Sequence, residues 1–352
     1  MENIIEKIIN LAIQAPSGEN CQPWRFEIGN NEIDIYNVPE RDQSLYNTNQ
    51  AGSYVAHGAL VENMIISAKT LSYSASITLF PKSSEPDLVA SITLRQSAPQ
   101  EDSLLDSIAK RTTNRKPYMK TQLPTEQLER LAATSSQVDG AKAEFVTDPD
   151  KIKALAEACS VNEIVMFSNN TLHNFFFNHI NWTQEEETKK RFGFYVKTLE
   201  LPPPAQLGMK MFKNWPLMNL LNKFGFAKLI AKGNAKIYAA CSAMGAIAVP
   251  DNDKNNLIAA GRSFQRLWLQ ATQMGLSIQP LTGVLFLMKA ITNGRASKFS
   301  DKQIELIKQA YKQICEIFYF PDKKIALLFR IGRGDNPSAH SLKLPAKITK
   351  KI

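Results

Sequence analysis

Apolar residues recur at Ile4, Ile5, Ile8, Ile9, Ala12 and Ile13, the spacing of a helix with one buried face. Pro16 and Gly18 end that helix. Ser17, Asn20 and Gln22 follow, three hydrogen-bonding side chains in six residues, and Trp24-Arg25-Phe26-Glu27-Ile28 then reads as a strand. Two longer apolar stripes predict core helices over 58–73 and 261–276. Laid with Gly58 on Gly261, they match without gaps: Val61 meets Phe264, Met64 meets Leu267, Ile65 meets Trp268 and Ala68 meets Ala271. Each half then ends on a strand-like run carrying an arginine, 88–95 and 324–330. Between them Pro124-Thr125-Glu126 opens another helix, with Thr125 as its N-cap and Leu128 and Leu131 on its inward face. The pattern reads as an ancient duplication, with halves at 1–105 and 106–352 and an insertion over about 155–255 in the second. Helices packed around a mostly antiparallel sheet in each half give an α+β fold.

Composition adds little to that outline, and charge adds more. The 352 residues are 44% hydrophobic and 21% charged, enough to bury one large core or two ordinary ones. A net charge of +9 favours anionic ligands. The basic residues are spread along the chain, which argues against a specific nucleic-acid surface. Their clearest cluster is Lys343, Lys347, Lys350 and Lys351. Cys21, Cys159, Cys241 and Cys315 are far apart and without zinc-like spacing, as expected of reduced thiols in a cytoplasmic protein. Four scattered histidines give no expectation of a metal centre. The N-terminal stretch carries acidic residues and lacks the apolar core of a signal peptide. The longest apolar stretch, 237–249, is shorter than the ~20 residues that cross a bilayer, so no membrane partner is expected.

A second polar cluster is Lys110-Arg111-Thr112-Thr113-Asn114-Arg115-Lys116-Pro117-Tyr118. Two guanidinium groups and two hydroxyls can neutralise and hydrogen-bond a phosphate dianion. A basic cluster alone is usually a solvated loop; this one gains meaning from its company. Residues 15–26 (Ala-Pro-Ser, Asn, Gln-Pro-Trp) resemble a signature of the FMN-dependent nitroreductase family, and 111–118 resembles that family's opening basic motif. With 261–283 and 329–332 the resemblance runs in family order over nearly the whole chain, toward the long, internally duplicated Acg type.

That resemblance implies a nitroreductase-like fold in which two halves form an intramolecular pseudo-dimer around the long helices. In ordinary members FMN lies at a homodimer interface, gripped by the basic motif of one subunit and the Pro-Ser…Asn…Gln segment of the other. Here nothing like Arg-x-x-x-Arg precedes Ile4. The counterpart of the polar turn, Thr134-Ser135-Ser136-Gln137-Val138-Asp139-Gly140, lacks the Asn, Gln-Pro and Trp. Each half is incomplete, and together they make one FMN site. The resemblance implies that Pro16, Ser17, Asn20 and Gln22 border the ring and ribityl chain. Arg111, Thr112, Thr113 and Arg115 would hold the ribityl and phosphate. Pro280, Leu281, Thr282 and Gly283 would bring a backbone N–H near flavin N5 and O4, with Gly283 permitting close approach. The family's C-terminal Ser-Pro-Arg-Arg-like phosphate contact is missing; His340 or Lys343 would stand in for it.

The resemblance also implies a lid. Between Phe192 and Phe226 the insertion is rich in Met and aromatic residues (Met209, Met211, Phe212, Trp215, Met218, Phe224) and punctuated by Pro and Gly, as at 201–204. A helical hairpin packed on the core is the plainer alternative. A membrane-surface helix, with Lys210, Lys213, Lys223, Lys228 and Lys232 interspersed, is a third. The implied activity is NAD(P)H-driven reduction of a nitroaromatic or quinone acceptor through the flavin, with no side chain required as acid or base. A site closed by the lid would instead sequester FMN with little turnover, and decay of both sites would leave a scaffold. The expected partners are a small-molecule acceptor and, beyond the pseudo-dimer itself, at most a second copy.

Overall fold

A computed structural model describes residues 2–351, apart from the side chains of Pro203, Pro204 and Leu207. Helix α1 (Glu2–Ala12) buries Ile5, Ile8, Ile9 and Ala12, the stripe its spacing predicts. Strands β1 (Trp24–Ile28) and β2 (Glu32–Asn37) follow as a hairpin, then helix α2 (Ala51–Thr70) and the hairpin of β3 (Tyr73–Leu79) and β4 (Leu88–Gln96). Short helix α3 (Leu105–Lys110) leads through the basic loop to α4 (Thr125–Ser135) and β5 (Lys142–Val146). At α4, Pro124 takes the cap position and Thr125 is the first helical residue, so the expected Thr125 cap is not formed; Leu131 is fully buried and Leu128 only partly.

The insertion is a helical layer: α5 (Pro149–Ser168), α6 (Asn170–Asn178), strand β6 (Ile180–Asn181), α7 (Gln184–Lys190), strand β7 (Phe194–Tyr195), α8 (Pro203–Phe212), α9 (Trp215–Lys223) and α10 (Phe226–Tyr238). The second sheet and its helices complete the chain: β8 (Ala243–Val249), α11 (Lys254–Gln273), β9 (Ser277–Pro280), α12 (Gly283–Ala290), α13 (Asp301–Ile317), β10 (Lys324–Gly332) and β11 (Ile348–Lys350).

One sheet runs β11-β1-β2-β4-β3 and the other β5-β8-β10-β9. All their pairings are antiparallel except that of β11 with β1. That exception matters for the site. After β10 the chain leaves the second sheet, crosses back and adds Ile348–Lys350 to the edge of the first, opposite Phe26–Ile28. The last residues of the 106–352 block therefore sit in the sheet of 1–105.

Between the sheets α2 packs along α11. Both helices are 20 residues long, beginning seven residues before their expected starts and ending three before their expected ends. Gly58 and Gly261 lie at the crossing. A Cβ on Gly58 would fall 2.2 Å from the Ile258 carbonyl oxygen, and one on Gly261 2.0 Å from that of Val55. Here the backbones touch, and only glycine permits it. Beside the crossing the buried Glu62 carboxylate accepts from Arg262 at 2.9 Å and Arg266 at 2.6 Å, and Gln265 donates to Asn63 at 2.8 Å.

The insertion builds its own small core. Met209, Met218, Phe167 and Phe177 are buried together, with Phe212 and Trp215 packed against them. No helix among the described residues is long and apolar enough to cross a membrane.

Candidate functional site

Beyond α1 the chain makes a turn that ordinary residues resist. Glu19, Asn20 and Gln22 have φ of 44°, 55° and 49°, left-handed conformations that cost about 1–3 kcal/mol each outside glycine and persist only when the surroundings hold them. The hold is visible. Ser17 Oγ accepts from the Gln22 amide at 2.9 Å. Gln22 Nε2 donates to the carbonyl oxygens of Asn20 (3.1 Å) and Arg191 (2.8 Å), and its Oε1 accepts from the Leu344 amide (2.8 Å). Asn20 Nδ2 donates to the Leu342 carbonyl at 2.9 Å, and its Oδ1 accepts from Lys343 Nζ at 2.9 Å. Thus the turn of the first half is clamped by the insertion (Arg191) and by the returning C-terminal segment (Leu342 to Leu344).

The basic loop after α3 is fixed as firmly. Asn114 anchors it: Nδ2 donates to Ser277 Oγ (2.9 Å) and the Asp335 carbonyl (2.8 Å), and Oδ1 accepts from the Lys116 amide (3.1 Å). Arg111 donates to the Gln14 carbonyl at 3.0 Å and lies over the Trp268 ring at 4.5 Å, while its buried Nε has no partner. Arg115 donates to the Thr198 carbonyl at 2.9 Å and faces the Phe194 ring at 5.4 Å. Glu200 and Glu187 tie down the C-terminal segment by accepting from Ser338 and from the Leu342 amide.

These three pieces enclose a cleft of about 140 Å³. Pro16, Ser17 and Asn20 line it from the turn; Arg111, Thr112, Thr113 and Arg115 from the basic loop; and His340 and Lys343 from the C-terminal segment. Gln22 lies behind the wall, fully buried, and props the turn. Pro280, Leu281, Thr282 and Gly283 do not line the cleft. The Leu281 amide is spent on the Leu328 carbonyl at 2.7 Å. Gly283 makes its close approach to Asn162 instead, whose Oδ1 would be 2.3 Å from an added Cβ. Sequence reasoning missed Gln14, Ile108, Ala109, Thr198 and Ser341, and placed Phe194 only within a covering segment. The missed residues come from the turn after α1, from α3, from a short turn at 196–199 and from the irregular C-terminal segment, and none carries a local signal.

The electrostatics of the cleft are lopsided. Burial pulls the Arg111 guanidinium down to about 10 and lowers Arg115. Burial, and then the Arg111 charge, bring Lys343 down to about 7. Among the described residues none of the three is within 4 Å of a carboxylate oxygen. Glu19 stands near, its carboxyl raised to about 8 by burial and then by Asp42, so it adds little negative charge at neutral pH. Two buried guanidinium groups and a lysine about half charged near neutral pH are costly to gather; with hydroxyls on Ser17, Thr112 and Thr113 between them they can receive an anion.

No family model matches the chain. An uncharacterized Mycobacterium tuberculosis protein, MT1398, is 22% identical over 342 residues, covering 96% of this chain and 46% of that one. A second protein of that organism, named "Putative NAD(P)H nitroreductase acg", is 22% identical over 291 residues, covering 80% of this chain and 81% of that one. The chain thus spans about half the length of the first relative and four fifths of the second. Among solved structures, a Bacteroides fragilis nitroreductase with bound FMN aligns with 69% of this chain and 94% of its own at 9% identity and a TM-score of 0.37. The FMN-dependent nitroreductase NfnB of Mycobacterium smegmatis, in complex with NADPH, aligns with 65% and 86% at 11% identity and a TM-score of 0.36. The sequence relatives, at 22% identity, are what the chain is similar to: over four fifths of its length it resembles a nitroreductase-like protein of the Acg type.

Proposed function

We propose that the chain is an FMN-binding oxidoreductase driven by NAD(P)H, with a nitroaromatic or quinone-type acceptor. The observation that carries the reading is the convergence of Arg111, Arg115 and Lys343 on one cleft without a carboxylate partner. The orphaned Nε of Arg111 is a buried donor awaiting an acceptor, and the donor set suits the phosphate and ribityl end of FMN. Arg111, Arg115 and Lys343 would neutralise the phosphate, and Ser17, Thr112 and Thr113 would bond the ribityl hydroxyls. Bound there, FMN would supply hydride exchange between nicotinamide and acceptor. The chain's own part is to hold the phosphate, orient the group through the clamped turn and exclude water through Phe194 and Thr198. The two halves, meeting at Gly58 and Gly261, would act as the two subunits of an ordinary dimer, each supplying what the other lacks.

A second reading has its own support. Cofactor sites commonly measure ~300–1,000 Å³, and this cleft is about 140 Å³. The amides of Asn20 and Gln22 are already engaged by Arg191, Leu342 and Leu344. A segment held so closely over the site fits a protein that sequesters FMN with little turnover. Stopped-flow mixing of the FMN-loaded protein with NADH or NADPH separates the two. Rapid bleaching of the flavin band supports the reductase. No bleaching with either nucleotide supports sequestration and sinks the reductase.

A further inference from the structure

The stretch 201–250 contains six lysines and no Asp, Glu or Arg, so one seventh of the chain carries +6 of the net charge of +9. The six are Lys210, Lys213, Lys223, Lys228, Lys232 and Lys236, all exposed. None is in an ion pair among the described residues. On α10 the buried stripe is Ala227, Ala231, Ala235 and Tyr238. Lys228, Lys232 and Lys236 repeat at every fourth residue along an exposed flank, roughly 100° round the helix from that stripe.

Among the described residues, the same layer bears four of the seven exposed large apolar side chains. Phe224 is 84% exposed, Leu229 65%, Met211 64% and Leu220 50%. Leu220 and Phe224 are one turn apart at the end of α9, and Leu229 is in the first turn of α10, so three of them flank the single corner at Gly225. Exposed apolar groups scattered singly need no explanation, but a cluster does. The inward faces of these helices already fill the insertion's own core, so the corner is surplus to folding.

We infer that the α9–α10 corner docks this protein on a bilayer surface rich in anionic phospholipid, with Leu220, Phe224 and Leu229 entering the acyl boundary and the lysine stripe lying among the headgroups. Stable peripheral binding takes two signals, apolar insertion and basic charge, and both occur here within twenty residues. A second copy of the chain fits poorly, because a symmetric pairing would set the lysine stripe against itself. A pocketed acidic protein fits less well than lipid. A phenylalanine exposed at a turn protrudes, and a fluid bilayer receives it without a matching cavity. Docking is independent of the flavin, and it would bring the insertion, which also walls the cleft with Phe194 and Thr198, to where apolar acceptors dissolve.

The test is co-sedimentation of the full chain with sucrose-loaded phosphatidylcholine vesicles, with and without phosphatidylglycerol, at low and high salt. The wild type is expected to sediment with the anionic vesicles only, and less at high salt. The triple variant Leu220→Ser, Phe224→Ser, Leu229→Ser, checked for fold by circular dichroism, is expected to lose tenfold or more in partitioning. The variant Lys228→Glu, Lys232→Glu, Lys236→Glu is expected to lose binding altogether. No sedimentation with anionic vesicles at low salt overturns the inference and leaves an acidic protein as the occupant. Undiminished binding by the serine variant also overturns it, as bare electrostatic adsorption.

Discussion

Gly261→Ala adds one methyl group at the crossing of the two central helices. Its carbon would lie 2.0 Å from the Val55 carbonyl oxygen and 2.8 Å from the carbonyl carbon, where ordinary contact begins near 3.4 Å. The obstacle is backbone, so no side chain can swing aside, and α2 and α11 must part by about 1.4 Å along that line. A radial gap of roughly 0.5–1 Å already forfeits a quarter to a half of a dispersion contact, and Val61, Phe264 and Ala260 line the cores on either side. Two effects oppose each other. Alanine favours a helix interior over glycine by about 1 kcal/mol, whereas overpacking costs about 1–3 kcal/mol, more against rigid backbone. The crossing decides the sign: a net loss of about 2 kcal/mol, or roughly 3 °C in Tm for a chain of this size. Gly233→Ala on α10 is the control. A methyl there meets nothing within 4 Å, so only the helix preference acts and Tm should rise by roughly 1–2 °C. Thermal melts followed by circular dichroism measure both. If Gly261→Ala melts at or above the wild type, alongside Gly233→Ala, the helices do not cross on backbone contact and the pairing of halves is wrong.

Arg115→Ala should weaken FMN binding by about 10–100-fold, the worth of one charge-assisted bond, while riboflavin affinity stays nearly constant; equal losses by fluorescence titration would remove Arg115 from the phosphate. Lys343, lowered to about 7 by burial and then by Arg111, loses its charge as pH rises through about 7, so FMN affinity should fall from roughly pH 6.5 to 8.5, and Lys343→Met should lose that slope. Glu163 is raised to about 7 by burial, and its Oε2 has no partner. The folded chain keeps a proton that the unfolded chain releases above its ordinary carboxylate value. Stability from this group is therefore lost as pH rises from about 4.5 to 7 and is level beyond. Urea melts of Glu163→Gln should show a shallower decline than the wild type, because Glu19 titrates with the same sign, and an equal decline in the variant would place the titration elsewhere.

Local signals carried the elements well. The stripe of Ile5, Ile8, Ile9 and Ala12, the strand Trp24–Ile28 and the two matched helices are all set by neighbours in sequence, and all are present. The cleft was legible where polar side chains cluster in short loops, at 15–22 and 110–118. It was illegible where distant backbone supplies the partner. Nothing near Arg191, Leu342 or Leu344 says that their main-chain groups will clamp Asn20 and Gln22. The return of Ile348–Lys350 to β1 joins strands more than 300 residues apart and leaves no periodicity to read. The segment 280–283 misled for a different reason. A glycine after a strand signals a close approach without naming what approaches, and here it is Asn162.

The central claim is that one cleft, built from both halves and the C-terminal segment, binds FMN by its phosphate. The visible spectrum of freshly purified protein, with the flavin released by heat, identified and counted per chain, tests it most directly. About one FMN per chain, displaced in competition by FMN but not by riboflavin, is the expected result. A colourless protein that stays colourless after soaking with FMN would contradict it, and would leave Arg111, Arg115 and Lys343 gathered around some other anion.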